Sequence, residues 1–406
     1  HLLRNIKALV FAGLYLDTAT GAQARRIGLK LLDREIEEQV LDDGCHFERS
    51  PMYHVSVLND MLDMTEAMLL SGSTVPDRLS AAAARMTGFL DRMRHPDGEI
   101  PYFNDSTGSF FLRTEEVLAR GRRLAAELRE PEGWGPEIGE VPASGDIDPK
   151  RVSGLLVAET PRAWLVMDGG LVGPDYQPGH AHCDTLSFEL SLDGARFVTD
   201  TGVYHYRESP ERSYSRSTAA HNTIEIDGAE QSEIWKSFRV GRRAKIRHLS
   251  TERRDGLQIL RAAHDGYTRL RSGLLHERAM LLTKDWLLIV DWLHGSGVHA
   301  FRSFLHFHPD VALRENGDAE FTAVRGETRA RVRVPEGARA GIVETEYYPA
   351  FGERRTRQSL VCEGGGAWPC ARVTTIVFAA TAPDHEMDEM KIRIPGYGEV
   401  EPALRL

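Results

Sequence analysis

The amino-acid sequence predicts an α+β protein of more than one domain, in which a helical half precedes an antiparallel β half. Three observations carry this prediction. The 406 residues exceed the usual size of a single domain. Apolar residues recur at helical spacing up to about residue 129 and afterwards alternate with a period of two. Between the halves, residues 130–150 are rich in Pro, Gly and acidic side chains, a composition that favours neither helix nor sheet.

Five amphipathic segments account for the helical half. Each carries apolar side chains three or four positions apart, which places them on one face of a helix. Short polar or Gly-containing breaks separate the segments, as in helical hairpins packed antiparallel. We therefore predict a helical domain over residues 1–130 and a linker over 131–150. The five segments are Ile6 to Leu14, Ile27 to Val40, Val55 to Leu69, Leu79 to Met93 and Thr114 to Leu128.

The remaining residues, 151–406, have the pattern of an antiparallel sheet. Apolar and polar residues alternate from Leu186 to Leu192, and Asp193-Gly194 then supplies a hairpin turn. We expect stacked sheets in this half. Further strand signals come from residues 223–226, 279–290 and 372–378.

Net charge limits the class of partner. The chain carries −10 at pH 7 and has a pI of about 5.9, which argues against a general nucleic-acid-binding or membrane-surface protein. No apolar run approaches the length of a membrane span. The chain opens at His1 without Met, so we expect further sequence upstream, including any export signal.

Two cysteine arrangements are open. Cys362 and Cys370 bracket the Gly-rich stretch 364–366, which reads as a turn. The two thiols can pair across a hairpin in an oxidising compartment, or both can be reduced structural thiols. Cys183 lies beside His182 and in a strand faces away from it, so we do not count it as a ligand.

The segment from residue 179 to 228 concentrates chemistry more densely than any other. It holds His180, His182, Asp200 and His221 on what we predict to be successive strands. His180 and His182 flank one residue, so in extended backbone both imidazoles leave the same face. Each histidine alone is more simply a half-buried strand residue bonded to a carbonyl, but four such groups together favour a site that holds a divalent metal or moves a proton.

A second constellation stands at the start of the third helix. Ser50 is a good N-cap and Pro51 suits the first helical position, so Tyr53 falls in the first turn. The positive end of the helix dipole and the nearby Arg49 predict a lowered pKa for Tyr53. The alternative is that Tyr53 and His54 form a hydrophobic lid with satisfied polar tips.

Two further stretches are candidates for contact with a ligand. Residues 98–106, which include Asn104, form a polar, aromatic loop that suits either a cleft wall or a turn capping the next helix. Basic residues cluster at Arg207, Arg212 and Arg216 and again between Lys236 and Arg247. They form either an anion-binding region or a solvated strand edge.

Together these segments resemble the heparinase II/III-like polysaccharide lyases. The resemblance covers nearly the whole chain. It rests on Gly179-His180-Ala181-His182-Cys183-Asp184, Asp200-Thr201-Gly202-Val203-Tyr204, Ser217-Thr218-Ala219-Ala220-His221-Asn222-Thr223 and Glu48-Arg49-Ser50-Pro51-Met52-Tyr53-His54. The start, His1-Leu2-Leu3-Arg4-Asn5, is similar to a family segment in which a catalytic asparagine precedes a histidine. That asparagine would be the residue before His1.

The resemblance implies roles for individual residues. Tyr53 would transfer protons, His180 would act as base or help neutralise the substrate, and His1 is a further candidate base. Tyr204 is a candidate for a second proton carrier, a place that Tyr206 could fill instead. Substrate contacts are expected from Arg49, Asn104, Arg212 and Arg216, and a mainly structural zinc ion from His182, Asp200 and His221.

The resemblance also implies a fold and a function. We expect an incomplete (α/α) toroid followed by an antiparallel β-sandwich, with the cleft between them. The expected activity is β-elimination on an acidic polysaccharide of the heparan or chondroitin sulfate type, in the periplasm or outside the cell. Alginate is the alternative substrate. A non-catalytic acidic-glycan binding protein and a metal-dependent hydrolase are the rival functions.

Overall fold

The computed structural model describes residues 1–108, 112–129, 148–254, 256–270, 273–317, 319–379, 385–388 and 390–404. Helices come first along the chain and strands follow, so the mixed α and β class is as predicted. Most of the predicted linker, residues 131–147, lies outside the described residues. The division into domains at that point stays a prediction.

The five predicted helices are present. Their cores carry the apolar positions of the pattern, such as Ile6, Val10 and Leu58, which are fully buried. Helix α1 packs against α2 and α3, and α3 in turn contacts α4 and α5. The helices are α1 Leu2–Tyr15, α2 Ala19–Gln39, α3 Pro51–Leu70, α4 Asp77–Met93, α5 Thr114–Glu127 and, within the second half, the short α6 Pro210–Arg216 followed by a 3₁₀ turn Thr218–Ala220. Among the described helices, none is both long enough and apolar enough to cross a membrane.

The second half consists of strands. They are β1 Leu155–Glu159, β2 Ala163–Asp168, β3 Phe188–Leu192, β4 Ala195–Val198, β5 Ile224–Ile226, β6 Ile234–Trp235, β7 Arg239–Val240, β8 Ile246–Arg254, β9 Leu257–His264, β10 Leu275–Leu282, β11 Trp286–His306, β12 Ala312–Gly317, β13 Glu320–Arg325, β14 Thr328–Arg333, β15 Arg339–Tyr347, β16 Arg355–Val377, β17 Glu386–Asp388, β18 Lys391–Ile394 and β19 Gly398–Val400.

Two large sheets stack on one another. Strands β1 to β4 form the smaller one in sequence order. The larger has the order β12-β13-β14-β16-β11-β10-β9-β8, with β15 also pairing with β16 and β5 with β11. All these strand pairs are antiparallel, as predicted. Leu165 and Phe188 of the small sheet share one apolar core with Met280 and Leu305 of the large sheet.

The hairpin between β3 and β4 turns where the sequence predicts. Asp193 and Gly194 have φ values of 48° and 83°, the left-handed backbone that a two-residue hairpin turn requires. Alternation of apolar and polar residues usually indicates a strand with one face towards solvent. In β3, however, all five residues are buried. Its polar face packs under the helical half, where His95 Nε2 lies 3.0 Å from Glu189 Oε2 and His95 Nδ1 lies 2.8 Å from Ser191 Oγ.

The predicted turn between Cys362 and Cys370 is wrong, and with it the disulfide alternative. Residues 364–366 lie inside the long strand β16, paired with residues 299–301 of β11, and form no turn. Cys362 and Cys370 are eight positions apart on that strand, which at ~3.3 Å per residue separates them far beyond the reach of a disulfide. Both are free thiols.

Candidate functional site

The buried carboxylate of Asp105 is the centre of the candidate site. Its Oδ2 lies 2.9 Å from His180 Nδ1, and its Oδ1 lies 2.8 Å from His182 Nε2. Arg212 donates to both oxygens. Burial alone would raise the pKa of Asp105, but the Arg212 charge and the two imidazole hydrogen bonds outweigh it and hold the pKa well below its usual range. Asp105 is therefore an anion that two histidines share.

Tyr53 and His180 meet above this carboxylate. Their ring centroids are 4.0 Å apart and their planes are inclined by 32°. The Tyr53 hydroxyl lies 3.1 Å from the Tyr206 hydroxyl, and the Phe238 ring stands edge-on to His180 at 6.2 Å. The His180 side chain is 20% exposed, and Glu48 Oε2 lies 3.9 Å from its Nε2. A phenol from the helical half and an imidazole from the β half thus share one half-open space.

The start of α3 positions Tyr53 as predicted, but its acidity is the reverse of the prediction. The helix begins at Pro51, and Tyr53 N–H donates to Ser50 Oγ at 3.4 Å. Burial raises the pKa of Tyr53 to about 12, and the Arg212 cation lowers it by less. The predicted lowering by the helix dipole and Arg49 is wrong, because loss of water dominates at this position. At neutral pH Tyr53 is a protonated phenol, suited to giving a proton away.

The predicted strand placement of the histidines is wrong. His180, His182, Asp200 and His221 all lie in turns or irregular backbone next to strands. Leu186 adopts a φ of 65°, a left-handed conformation that extended backbone cannot include. Strand β3 therefore begins only at Phe188 and does not extend back to His182. His180 and His182 nevertheless reach the same carboxylate.

A buried group behind this centre has the donor atoms of a metal site. Ligand atoms of His182, Asp184 and His221 all lie within 4.8 Å of one another. His182 Nδ1 and His221 Nε2 are buried and have no hydrogen-bond partner among the described residues. Burial lowers the pKa of His182 to about 3 and raises that of Asp184 to about 6. Two available imidazole nitrogens and a carboxylate that a cation would stabilise fit a divalent metal.

Asp200 differs from its predicted role as a ligand. Both of its oxygens lie 2.8–2.9 Å from His221 Nδ1, and it also accepts from Thr201 N–H and Ser187 Oγ. Its carboxylate is therefore occupied in orienting His221, and Asp184 supplies the oxygen of the ligand group. Asp200 behind His221 and Asp105 behind His182 give each imidazole a carboxylate on its second nitrogen, the usual arrangement behind metal-bound histidines.

Two residues predicted to contact substrate are buried structural residues. The Arg49 guanidinium donates to the carbonyls of Phe47, Pro149 and Val152. Asn104 Nδ2 donates to Arg49 O, and Asn104 Oδ1 accepts from His182 N–H. Both residues have a φ of 55° and both are buried. Their polar atoms join α3 to the histidine segment, which contradicts the predicted substrate contact.

The two predicted binding arginines after the histidine segment are also buried. Arg212 is bonded to Asp105 and to Ser237 O, and Arg216 donates to Ala181 O, Lys236 O and Arg239 O. The substrate-contact prediction fails here because backbone carbonyls and one carboxylate take up both guanidinium groups. Arg212 and Arg216 instead fasten the β6–β7 hairpin beside His180.

The remaining predicted residues divide. Tyr204 packs against Tyr348 at 5.4 Å and under the Arg354 guanidinium at 5.0 Å, whereas it is Tyr206 that touches Tyr53. Of the two candidate second proton carriers, Tyr206 is therefore better placed than Tyr204. His1 is exposed just before α1 and makes no side-chain capping hydrogen bond. Its role as a base stays a prediction.

Two carboxylates were missed. Asp105 lies in the polar loop 98–106, which the sequence allows to be either a cleft wall or a capping turn, and Asp184 directly follows the pair His182-Cys183. A signal existed in both cases, because Asp184 continues the alternation His180, His182 and Asp105 follows an asparagine in an aromatic loop. The partners that decide their roles are distant in sequence.

Comparison with known proteins adds a family. The family described as "Heparinase II/III-like, C-terminal" matches residues 145–392, and "Heparinase II/III N-terminus" matches residues 1–119. A heparin-sulfate lyase of Bacteroides stercoris is 24% identical over 320 residues, which cover 73% of this chain and 44% of that protein. The FtsZ-localized protein C of Caulobacter vibrioides is 25% identical over 352 residues, which cover 80% and 56%. The chain spans about half the length of these curated relatives.

A solved structure agrees with the arrangement of elements. A heparinase III gene product superimposes with a TM-score of 0.77 at 20% identity, covering 100% of this chain and 66% of that chain. At this identity the likeness shows a shared fold.

Proposed function

We propose, because this chain belongs to the heparinase II/III-like family, that it is a polysaccharide lyase cleaving uronic-acid-containing glycosaminoglycans of the heparan or chondroitin sulfate type by β-elimination. The observation that carries the proposal is the contact of the Tyr53 and His180 rings at 4.0 Å over the Asp105 carboxylate. Elimination needs a base near C5 of the uronate and an acid near the glycosidic oxygen O4, which leaves with the departing sugar.

His180 is the proposed base. Asp105 accepts from its Nδ1, so in the neutral imidazole Nε2 carries the lone pair. That nitrogen would take the C5 proton while a C4=C5 double bond forms and the C4–O4 bond breaks. Asp105 then stabilises the imidazolium, as the orienting carboxylate does in other catalytic histidine–carboxylate pairs.

Tyr53 is the proposed acid. With a pKa of about 12, its phenol is protonated at any physiological pH and can give the proton to O4 as the bond breaks. Tyr206, with its hydroxyl 3.1 Å away, can donate to the phenolate that forms while its own oxygen takes a proton from solvent, and so relay a proton back to Tyr53. This pairing supports Tyr206 over Tyr204 as the second proton carrier.

A divalent metal, zinc in the first instance, would be held by His182, Asp184 and His221. When bound, it would supply positive charge to a buried, carboxylate-rich region and so stabilise the segment that carries His180. The proton transfers of the reaction are carried out by the chain's own residues.

We propose the finer fold and location on the same basis. Helices α1–α5 would be part of an incomplete (α/α) toroid, supported by the packing of neighbouring helices, and the stacked sheets a β-sandwich, supported by their shared core. A periplasmic or secreted location would suit a polymeric acidic substrate.

The test is incubation with heparan sulfate, chondroitin sulfate and alginate, with the ultraviolet absorbance of an unsaturated uronate as readout. We expect product from a glycosaminoglycan, a roughly 10²- to 10⁴-fold loss in Tyr53→Phe and little change in the matched control Tyr204→Phe. Binding without product would favour the non-catalytic glycan-binding alternative. Saturated products that vanish at once on chelation would favour a hydrolase.

A further inference from the structure

A basic cavity adjoins the candidate site. It has a volume of about 570 Å³ and is lined by residues from three segments, 171–175, 241–245 and 265–269. Such a volume suits one or two sugar rings, since small-molecule sites span roughly 300–1,000 Å³. Val172 and Ala244 of its wall pack with Ala181, the neighbour of His180, and with Val240. The wall of the cavity thus packs against the residue next to the candidate base.

The cavity has an excess of positive charge in an acidic protein. Its lining includes four cationic side chains and two carboxylates: Arg242, Arg243, Lys245 and Arg269 against Asp175 and Asp265. Asp265 also pairs with Arg247, which lies outside the lining. The carboxylates therefore do not balance the cations that surround this space.

Backbone carbonyls hold two of the cavity arginines in place. Arg269 donates to the carbonyls of Glu230, Gln231 and Gly266, and Arg243 donates to Pro174 O at 3.1 Å. Asp175 and Glu233 also lie 3.4 Å from Arg243 and Arg242, in largely exposed pairs that contribute little in water. The backbone carbonyls fix the guanidinium groups but carry no net charge to neutralise them. Such pre-ordered cations favour an anionic ligand.

The β6–β7 hairpin connects the cavity to the candidate site. Phe238, at its tip, is 43% exposed and contacts both the His180 ring and the Tyr206 ring, at centroid distances of 6.2 and 5.5 Å. Arg216 fastens the carbonyls of Lys236 and Arg239 from below. An aromatic face of this kind can stack a sugar ring between the two places.

We infer that this cavity is a second subsite, which takes an anionic sugar unit of the same chain whose neighbouring unit lies at Tyr53 and His180. The inference rests on the proposed function and extends it by naming Arg242, Arg243, Lys245 and Arg269 as the cations that meet a carboxylate or sulfate group. Phe238 would support the linkage between the two units.

The test is calorimetric binding of heparan-type oligosaccharides, from disaccharide to octasaccharide, to the whole chain. In Arg242→Glu/Lys245→Glu we expect octasaccharide affinity to fall about tenfold or more, and disaccharide affinity to change less than about twofold. The neutral pair Arg242→Gln/Lys245→Gln should lose less than the charge reversal. The control Lys284→Glu/Arg329→Glu has the same change of charge at exposed residues outside the cavity and should match the wild type.

Unchanged octasaccharide affinity in both cavity pairs would overturn the subsite, and so would a wild-type affinity that does not rise with oligosaccharide length. Failure of the proposed function is a different result, namely no unsaturated product from any polymer with the wild-type chain. Tyr53→Phe is therefore introduced into the reference chain and into every variant for the binding measurements, so that turnover does not degrade the ligand and each outcome is read separately.

Discussion

His180 and His182, which are separated by one residue, share the Asp105 carboxylate but differ in their surroundings. The His180 side chain is 20% exposed and touches Tyr53, whereas His182 is 1% exposed and its free nitrogen faces Asp184 and His221. An imidazole that reaches solvent can exchange protons with a substrate. A fully buried imidazole that stays neutral cannot reach a substrate and is suited to binding a metal ion. Exposure, more than sequence context, therefore divides the proposed chemistry from the proposed metal binding.

Removing the shared carboxylate should disable both histidines and give the largest effect. Asp105→Ala leaves the Arg212 guanidinium buried without its anion, which costs roughly 3–5 kcal/mol, and it also releases both imidazoles. We expect a large drop in the free energy of unfolding in urea and no lyase activity. The control Asp42→Ala breaks an exposed pair with Arg151 and should cost less than about 1 kcal/mol. Equal effects of the two substitutions would refute the central position of Asp105.

Replacing each histidine alone should separate the two roles. His180→Ala is expected to lower turnover roughly 10²- to 10⁴-fold with little change in melting temperature. His182→Ala is expected to lower the melting temperature and to abolish stabilisation by added zinc, which for a specific site reaches about 2.7 kcal/mol at a hundredfold excess over Kd. Activity assays and thermal melts with and without zinc check both. If zinc stabilises His182→Ala as it does the wild type, the metal site is elsewhere.

Much of this architecture could be predicted from the sequence, and the failures share a cause. The helices were found because the period of Ile6, Val10 and Leu58 reports their own burial. Tyr53, His180, His182 and His221 could be selected as candidates because local motifs carry them, and their roles stay predictions. Asp105, Asp184, Arg49 and Arg212 were missed or misassigned because their roles depend on partners far away in the chain. The raised pKa of Tyr53 likewise follows from tertiary burial, which a helix-terminus argument does not contain.

A smaller effect is expected from His54, which tests whether burial alone keeps a histidine neutral. Burial lowers its pKa to about 4, with Nε2 3.0 Å from Met86 O. A lowered pKa means that the unfolded chain binds the proton more tightly, so this stability is present above pH 6.5 and is lost as pH falls towards 4. Unfolding free energies measured across this range should fall by about 3 kcal/mol less in His54→Asn than in the wild type. Tyr53→Phe, which keeps His54, should retain the wild-type slope, and a His54→Asn slope equal to it would contradict the burial argument.

The smallest effect should come from Arg49→Lys. A lysine cannot serve the three carbonyls that the guanidinium reaches, so a loss of about 1–2 kcal/mol of stability is expected. KM should stay unchanged if Arg49 is structural. A raised KM with unchanged stability would restore the substrate contact that the sequence predicted and the structure contradicts.

The division of labour between Tyr53 and His180 is tested most directly with a uronate substrate whose C4 leaving group needs no proton, such as an aryloxide or fluoride. If Tyr53 serves as acid and His180 as base, Tyr53→Phe should eliminate this substrate at close to the wild-type rate, while His180→Ala should stay inactive. Elimination that remains lost in Tyr53→Phe, or returns in His180→Ala, would contradict the assignment.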